Sequence, residues 1–408
     1  MLKISLPERP EWRARAAEVG FTFADMGGEP YWDETSAYRF TMQQIEEDIE
    51  APSTELHALC REAVTKAVTS EEWLTRLDIP RPYWDLVERS WANGEPELYG
   101  RFDLAYDGKS PAKMLEYNAD TPTSLYESAS FQWLWLEEQQ QAGVLSADTD
   151  QFNAIHEALV ERWGEMADQG TDIHFAADKD NPEDYATVEA LAWSAREAGL
   201  GAHFTALAGI GLTDEGQFSD DEDRVIGTLF KLYPWEDMLR DEFAPHLQPS
   251  GTRFIEPPWK AVLSNKALLP LLWEMFPGHP NLLPAFFASD VEAALRGNGP
   301  ATPAVAAAFA AAEDQLRRGY VTKPIFSREG AGVTLYQDGL RPESAPDDSY
   351  SHHPMVVQAL APLPEFDGFH PVLGAWIVGE ACVGLGIRED RARITHNLSR
   401  FKPHFIEG

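Results

Sequence analysis

A mixed α/β fold is predicted by three features of the chain. Apolar residues recur at three and four spacing over residues 11–89, strict alternation sets in at Glu97, and short apolar strands crowd the region beyond Pro249. The helical period is clearest in IEEDIEAPSTELHALCREAVTKAV, with the Pro80 to Pro82 segment as punctuation. Its tryptophans, Trp12, Trp32, Trp73, Trp84 and Trp91, are expected to pack in cores or between layers, because each has a large area to bury.

From Glu97 the sequence LYGRFDLAYDG alternates, turns at Asp107-Gly108 and resumes as AKMLEYNAD, the pattern of a β-hairpin. Alternation puts Arg101 and Asp103 on one face of the first strand, and Glu116 and Asn118 on one face of the second. After Pro122, SLYESASFQWLWLEEQQQ predicts a helix, as does 151–166. Strand-like DIHFAA and a helix over 183–198 follow, so strands and helices alternate here as in an α/β subdomain. The acidic stretch TDEGQFSDDEDRVIGTLFKLYPWEDM ends in a further apolar strand. The expected organisation is a helical region with the hairpin over 1–145, an α/β subdomain over 146–249 and a third region over 250–408. That last region holds an alanine-rich helix over 301–318 and strands at YVTKPIF, VTLYQ, MVVQAL, HPVLGAWIV and EACVGLGIRE. No internal repeat is visible.

With 408 residues and 44% hydrophobic side chains, the chain can fill ordinary globular cores. No apolar run reaches about 18 residues, and MLKISLPERPEW lacks a signal-peptide core, so a cytoplasmic location is expected. Two cysteines, Cys60 and Cys382, are too few for a disulfide framework or a thiolate metal site. A formal charge of −34 opposes nucleic acid and anionic membranes and is compatible with a cationic small substrate, although solubility or salt adaptation is the simpler account of it. Only ten of the 33 basic residues are lysine, so Lys260 and Lys323, both in apolar, proline-flanked stretches, stand out.

Several constellations carry chemistry. In R-F-D-x(12)-E-x-N-A-D-T-P, the side chains of Asp103, Glu116 and Asn118 offer hard oxygen ligands suited to Mg²⁺, with Arg101 beside them; a solvated hairpin face with an Arg–Asp pair fits the same pattern. In T-K-P-I-F-S-R-E-G-A-G-V, Lys323 and Arg328 flank a loop whose Gly330 and Gly332 let backbone N–H groups approach a polyphosphate; a plain β-turn is the alternative. Neither GxxxxGK[ST] nor a helix-opening GxGxxG is present. E-P-P-W-K-A-V-L-S-N-K carries Lys260 and Lys266. Gln358 ends the apolar strand V-V-Q-A-L, where an adenine pocket or a plain core position is possible, and Arg388 follows two glycines in G-L-G-I-R-E, free for a carboxylate or phosphate or for a salt bridge with Glu389. No GxSxG or HExxH supports a nucleophilic triad or zinc site.

In their order, GRFDLAYDG, LEYNADTPTSLYE, EPPWKAVLSNKALLP, KPIFSREGAGV, PLPEFDG and GIREDRARITHNLSRFKPH resemble the glutathionylspermidine synthase family in a short form with the ligase part only. The resemblance implies an ATP-grasp fold with antiparallel sheets around the nucleotide, and an ATP-dependent ligase that joins a peptide carboxylate such as glutathione to an amine such as spermidine through an acyl phosphate. By motif it implies Asp103, Glu116 and Asn118 as magnesium ligands and Arg101 as stabiliser of the phosphorylated transition state. Lys260, Lys323, Gln358 and the loop Ser327, Arg328, Glu329, Gly330 and Gly332 are implied for ATP. Ser124, Arg328 and Arg388 are implied for the peptide substrate, and Glu183 with Asp184 for the amine. The amidase half of bifunctional members has no counterpart, so no hydrolysis of the product amide is expected. A catalytically silent ATP-binding regulator and a noncatalytic polyamine-binding protein remain as alternatives.

Overall fold

In the computed structural model, the described residues are 1–296, 303–396 and 399–407. The start of the alanine-rich helix predicted at Ala301, and Asn397 and Leu398 of the last motif, lie outside them. Four sheets larger than a pair organise the described residues. The central one holds the predicted hairpin: Tyr99–Ala105 and Lys113–Asn118 pair antiparallel, and His370–Val378, Ala381–Asp390 and Arg400–Lys402 extend the sheet from the far end of the chain. Arg101 stands opposite Asn118 and Asp103 opposite Glu116, with a bulge just after Asp103. The turn is held by Asp107, whose carboxylate accepts from the backbone of Lys109 and Ser110.

A second, antiparallel five-stranded sheet contains Ala285–Phe287, Met355–Ala359, Gly319–Pro324, Thr334–Gln337 and Glu343–Ser344. The helices Leu268–Met275, Ala288–Leu295 and Pro303–Arg318 pack against it. The third sheet is parallel and carries the α/β subdomain, with Asp172–Ala177 between Gly201–Ala206 and Thr228–Lys231. The helices Ile155–Met166 and Pro182–Glu197 accompany it. Its edge strand, Arg253–Ile255, pairs with Thr228–Lys231, so this sheet continues across Pro249 and reaches Ile255.

The N-terminal region departs from the helical expectation. Trp12–Glu18, Ala51–Val68, Glu71–Arg76 and Trp84–Ala92 are helical. Between the first two, Ser36–Phe40 is a strand that pairs with Leu2–Ser5 on one side and His404–Ile406 on the other. An aromatic core fastens this layer: Trp32 stacks on Phe401, Phe21 meets Phe131 edge-on, and Trp12 and Trp135 are buried beside them. No helix among the described residues is long and apolar enough to cross a membrane.

Candidate active site

The central sheet and the glycine-loop sheet face each other across the hairpin. Lys323, on Gly319–Pro324, donates to the backbone carbonyl of Leu115 on the hairpin at 2.9 Å. On one side of Glu116 a slot of about 250 Å³ has Val321, Val333, Leu335 and Val372 on its apolar wall, with Lys323, Asp103 and Gln358 at one part of its polar lining and Gln337, Arg393 and Thr395 at another. The buried Gln358 amide donates to the carbonyl of Met114 at 3.1 Å, which fixes its orientation. An apolar slot with few fixed polar groups suits a flat heteroaromatic ring. Glu116 also lines a smaller cavity on its other side, with Asn118, Glu236, Lys266, Ser327 and Arg328.

The charges interlock. Arg101 is buried; its Nε donates to Asp103 at 2.8 Å and a terminal nitrogen donates to the carbonyl of Thr123 at 2.6 Å. Arg388 takes the second oxygen of Asp103 at 2.7 Å. Burial works to raise the Glu116 carboxyl, but Lys266, Lys323 and Arg388 outweigh it and bring it down to about 2. Burial lowers Lys323 to about 8, against the pull of Glu116. The two carboxylates therefore stand among four cations, Arg101, Arg388, Lys266 and Lys323, an excess of positive charge suited to an anionic ligand.

The glycine loop needs its glycines. Gly330 has φ +71°, and a Cβ there would lie 2.5 Å from the carbonyl oxygen of Thr395; Gly332 has φ +69°, and a Cβ there would lie 2.7 Å from Pro324. Ser327 sits at the loop's start, its carbonyl accepting from Lys266 at 2.8 Å and its hydroxyl buried without a partner. Arg328 and Glu329 are exposed at the tip.

A third part is acidic. The helix Pro182–Glu197 begins with Asn181 accepting from the backbone N–H groups of Glu183 and Asp184, which sets both carboxylates at its N-terminus. Burial, then Glu183, push the Asp184 carboxyl up to about 6 against Arg328, and burial pushes Glu236 up to about 7. Ser124, with a left-handed φ of 66°, donates to Glu183 at 3.4 Å. Non-glycine residues held in that region of backbone space gather at functional sites.

Lys260 is elsewhere. It is fully buried, bonded to Glu97 at 3.0 Å, to Glu256 at 2.9 Å and to the carbonyl of Tyr99 at 2.7 Å, and it lines neither cavity. Its ammonium is consumed in a buried ion cluster, and Lys266, six residues on in the same motif, is the lysine that reaches the site. Asp120 of the hairpin motif is likewise structural, pairing with Lys231 at 2.5 Å and accepting from the backbone of Trp235. No local pattern marks Glu127 and Tyr31, which share a hydrogen bond of 2.6 Å beside Ser124, or Glu236.

Comparison with known proteins sets the class and then the family. A glutathione synthetase-like effector from Globodera pallida shares the fold, with a TM-score of 0.54 at 13% identity over 98% of both chains. The mixed α/β architecture with antiparallel sheets is thus a fold shared with that protein. The family model described as glutathionylspermidine synthase preATP-grasp matches residues 3–407. The chain belongs to the glutathionylspermidine synthase family. A Haemophilus influenzae protein named "Putative acid–amine ligase" is 40% identical over 412 residues, with 98% of each chain covered. Trypanothione synthetase of Crithidia fasciculata is 27% identical and the bifunctional glutathionylspermidine synthetase/amidase of Escherichia coli 24%. The chain spans only 53% and 59% of the length of these two.

Proposed function

We propose that the protein is an ATP-dependent ligase that activates a peptide carboxylate as an acyl phosphate and transfers it to a polyamine-like amine. The observation that carries this is one of arrangement: Glu116, opposite Asp103 on the hairpin, lines both the slot that holds Lys323 and the smaller cavity that holds Glu236, Lys266 and Arg328. The slot suits the base of ATP. Lys323 and Lys266 are placed for its phosphates, and Ser327, Arg328, Gly330 and Gly332 form the loop that covers them. Lys260 acts by holding Glu97 and Glu256 under the strand that carries Arg101.

The donor set fits a magnesium ion. Two carboxylates and an amide oxygen are all-oxygen ligands, and among the described residues no group of three or more His, Cys, Asp or Glu forms a cage of its own. Mg²⁺ is commonly held in this way, by one or two carboxylates with phosphates and water. The unpartnered buried amide nitrogen of Asn118 leaves that side chain free to reorient. Asp103, Glu116 and Asn118 would hold the ion, which would supply charge neutralisation for the phosphoryl oxygens.

Arg101 and Arg388 orient the peptide carboxylate and compensate the charge that builds as its oxygen attacks the terminal phosphorus. Ser124 fixes the peptide near the hairpin. Glu183 and Asp184 attract the cationic amine and aim it at the acyl carbon, where its nitrogen displaces phosphate. The closed loop keeps water from the acyl phosphate.

The test is ADP release with Mg-ATP, using glutathione and other short peptides paired with spermidine, other polyamines and amino acids. Release that requires both substrates and disappears in Glu116→Ala supports the ligase. ATP binding without such release across the panel would point instead to a silent binder.

A further inference from the structure

Behind the proposed amine site lies a hydrogen-bonded chain that ends in a buried carboxyl. Ser124 Oγ is 3.2 Å from Tyr31 Oη, and Tyr31 Oη donates to Glu127 Oε1 at 2.6 Å. The Ser124 hydroxyl also reaches Glu183 at 3.4 Å, so it joins the amine-site carboxylate to the chain. Glu127 is 1% exposed and takes part in no ion pair among the described residues. It opens a five-residue π-turn, Glu127–Phe131, a local irregularity often found at functional sites. Ser124 and Glu127 share one short segment, and Tyr31 joins them from 93 positions before Ser124 in the chain.

A carboxyl buried beside a tyrosine and without a cation is costly to ionise, and so poorly suited to a purely structural post. The charged groups facing it are Glu183 on the helix Pro182–Glu197, Arg101 on Tyr99–Ala105, and the Tyr31 hydroxyl. Burial first, then Glu183, push its carboxyl up to about 8, with Tyr31 and Arg101 opposing. A group titrating there is matched to accept a proton near neutral pH and release it again.

We propose that Glu127 is the proton acceptor for the incoming amine, through Tyr31 and Ser124. The inference rests on the ligase function proposed above. As the ammonium is committed, its N–H bond breaks and the proton passes to Ser124 Oγ, the Ser124 proton to Tyr31 Oη, and the Tyr31 proton to Glu127. The electron pair left on nitrogen forms the new bond to the acyl carbon, phosphate leaves with the pair of the broken C–O bond, and the second proton that nitrogen sheds in becoming an amide departs on that phosphate. Glu127, now a neutral acid, returns its proton to solvent by the same chain after product leaves.

The experiment compares wild type, Glu127→Gln and Tyr31→Phe from pH 6.5 to 9.5, measuring amine-dependent turnover, KM for the amine and ATP affinity. Glu127→Gln keeps an acceptor for Tyr31, and Tyr31→Phe cuts the chain while leaving Glu127 in place. The expected result is a fall of roughly 100-fold or more in kcat in both variants, with ATP affinity unchanged. The wild-type rise in kcat near pH 8 is replaced by a continuous increase with pH. Variants with the wild-type profile, or with a change in KM alone, overturn the relay and leave the ligase standing. A wild type without amine-dependent turnover, despite bound ATP, overturns both.

Discussion

Lys260 and Lys266 occur in one motif, and the geometry assigns them opposite tasks that a pair of substitutions separates. Replacing Lys260 by methionine keeps most of the side-chain volume but removes a cation that is 0% exposed and bonded at 3.0 and 2.9 Å to two buried carboxylates. Glu97 retains Arg61 at 2.5 Å and His57 at 3.1 Å, whereas Glu256 keeps only the backbone N–H groups of Leu98 and Tyr99. Breaking a buried pair from one side costs about 3–5 kcal/mol. The lower figure applies, because Glu256, already pushed up to about 7 by burial, escapes part of the penalty by binding a proton. At about 2.1 cal/mol/K of unfolding entropy per residue, ~3 kcal/mol lowers the melting temperature of a chain this long by roughly 3–4 °C. Lys266→Met removes a cation from the partly exposed Glu116 and strands no buried charge, so stability holds while ATP binding weakens. A lost charge-assisted hydrogen bond of about 1.5–3 kcal/mol corresponds to roughly 10- to 100-fold in Kd. Differential scanning calorimetry and ATP titration calorimetry on both variants read the two effects separately. An unchanged melting temperature with lost ATP binding in Lys260→Met, and the reverse in Lys266→Met, would refute the assignment.

Two further outcomes are expected. Gly330→Ala puts a side chain at a left-handed φ and 2.5 Å from a backbone oxygen, so the loop must shift; we expect ATP hydrolysis without amine to rise relative to ligation, measured as the ratio of ADP to amide product. The Glu127 carboxyl, pushed up to about 8, favours its protonated form in the folded state, so its contribution to stability is complete below about pH 4.5 and lost as pH rises through 8. Glu127→Gln, permanently neutral, therefore gains stability over wild type between pH 5 and pH 9, read from urea midpoints; an equal or widening deficit at high pH contradicts the burial argument.

Much of the fold was legible because its strands alternate and its turns carry their own chemistry. The register of Arg101 with Asn118 and of Asp103 with Glu116 follows from period two and the Asp107 turn, both local properties. The strand Ser36–Phe40 was not legible: its partners, Leu2–Ser5 and His404–Ile406, lie at opposite ends of the chain, and five residues inside a helical stretch carry no period of their own. Lys260 misled for a physical reason, since an apolar, proline-flanked lysine signals burial, and burial serves an ion cluster as readily as a phosphate. Glu256, four residues before it, was the available clue. Glu127 sat in a run read as plain helix, and its role depends on Tyr31, 96 residues upstream.

The central sheet has a consequence for biosynthesis. The hairpin that carries Asp103 and Glu116 emerges from the ribosome early, but its neighbour His370–Val378 and the arginine that grips Asp103, 285 residues further on, emerge almost last. Until then the Tyr99–Ala105 strand has an open edge, and Asp103 has Arg101 but not the second arginine that takes its other oxygen. Nascent chains must hold that edge unpaired, a window in which chaperones have something to shield. Vectorial synthesis thus delivers the catalytic apparatus in a single late step, and chains stalled before residue 390 are expected to possess none of it.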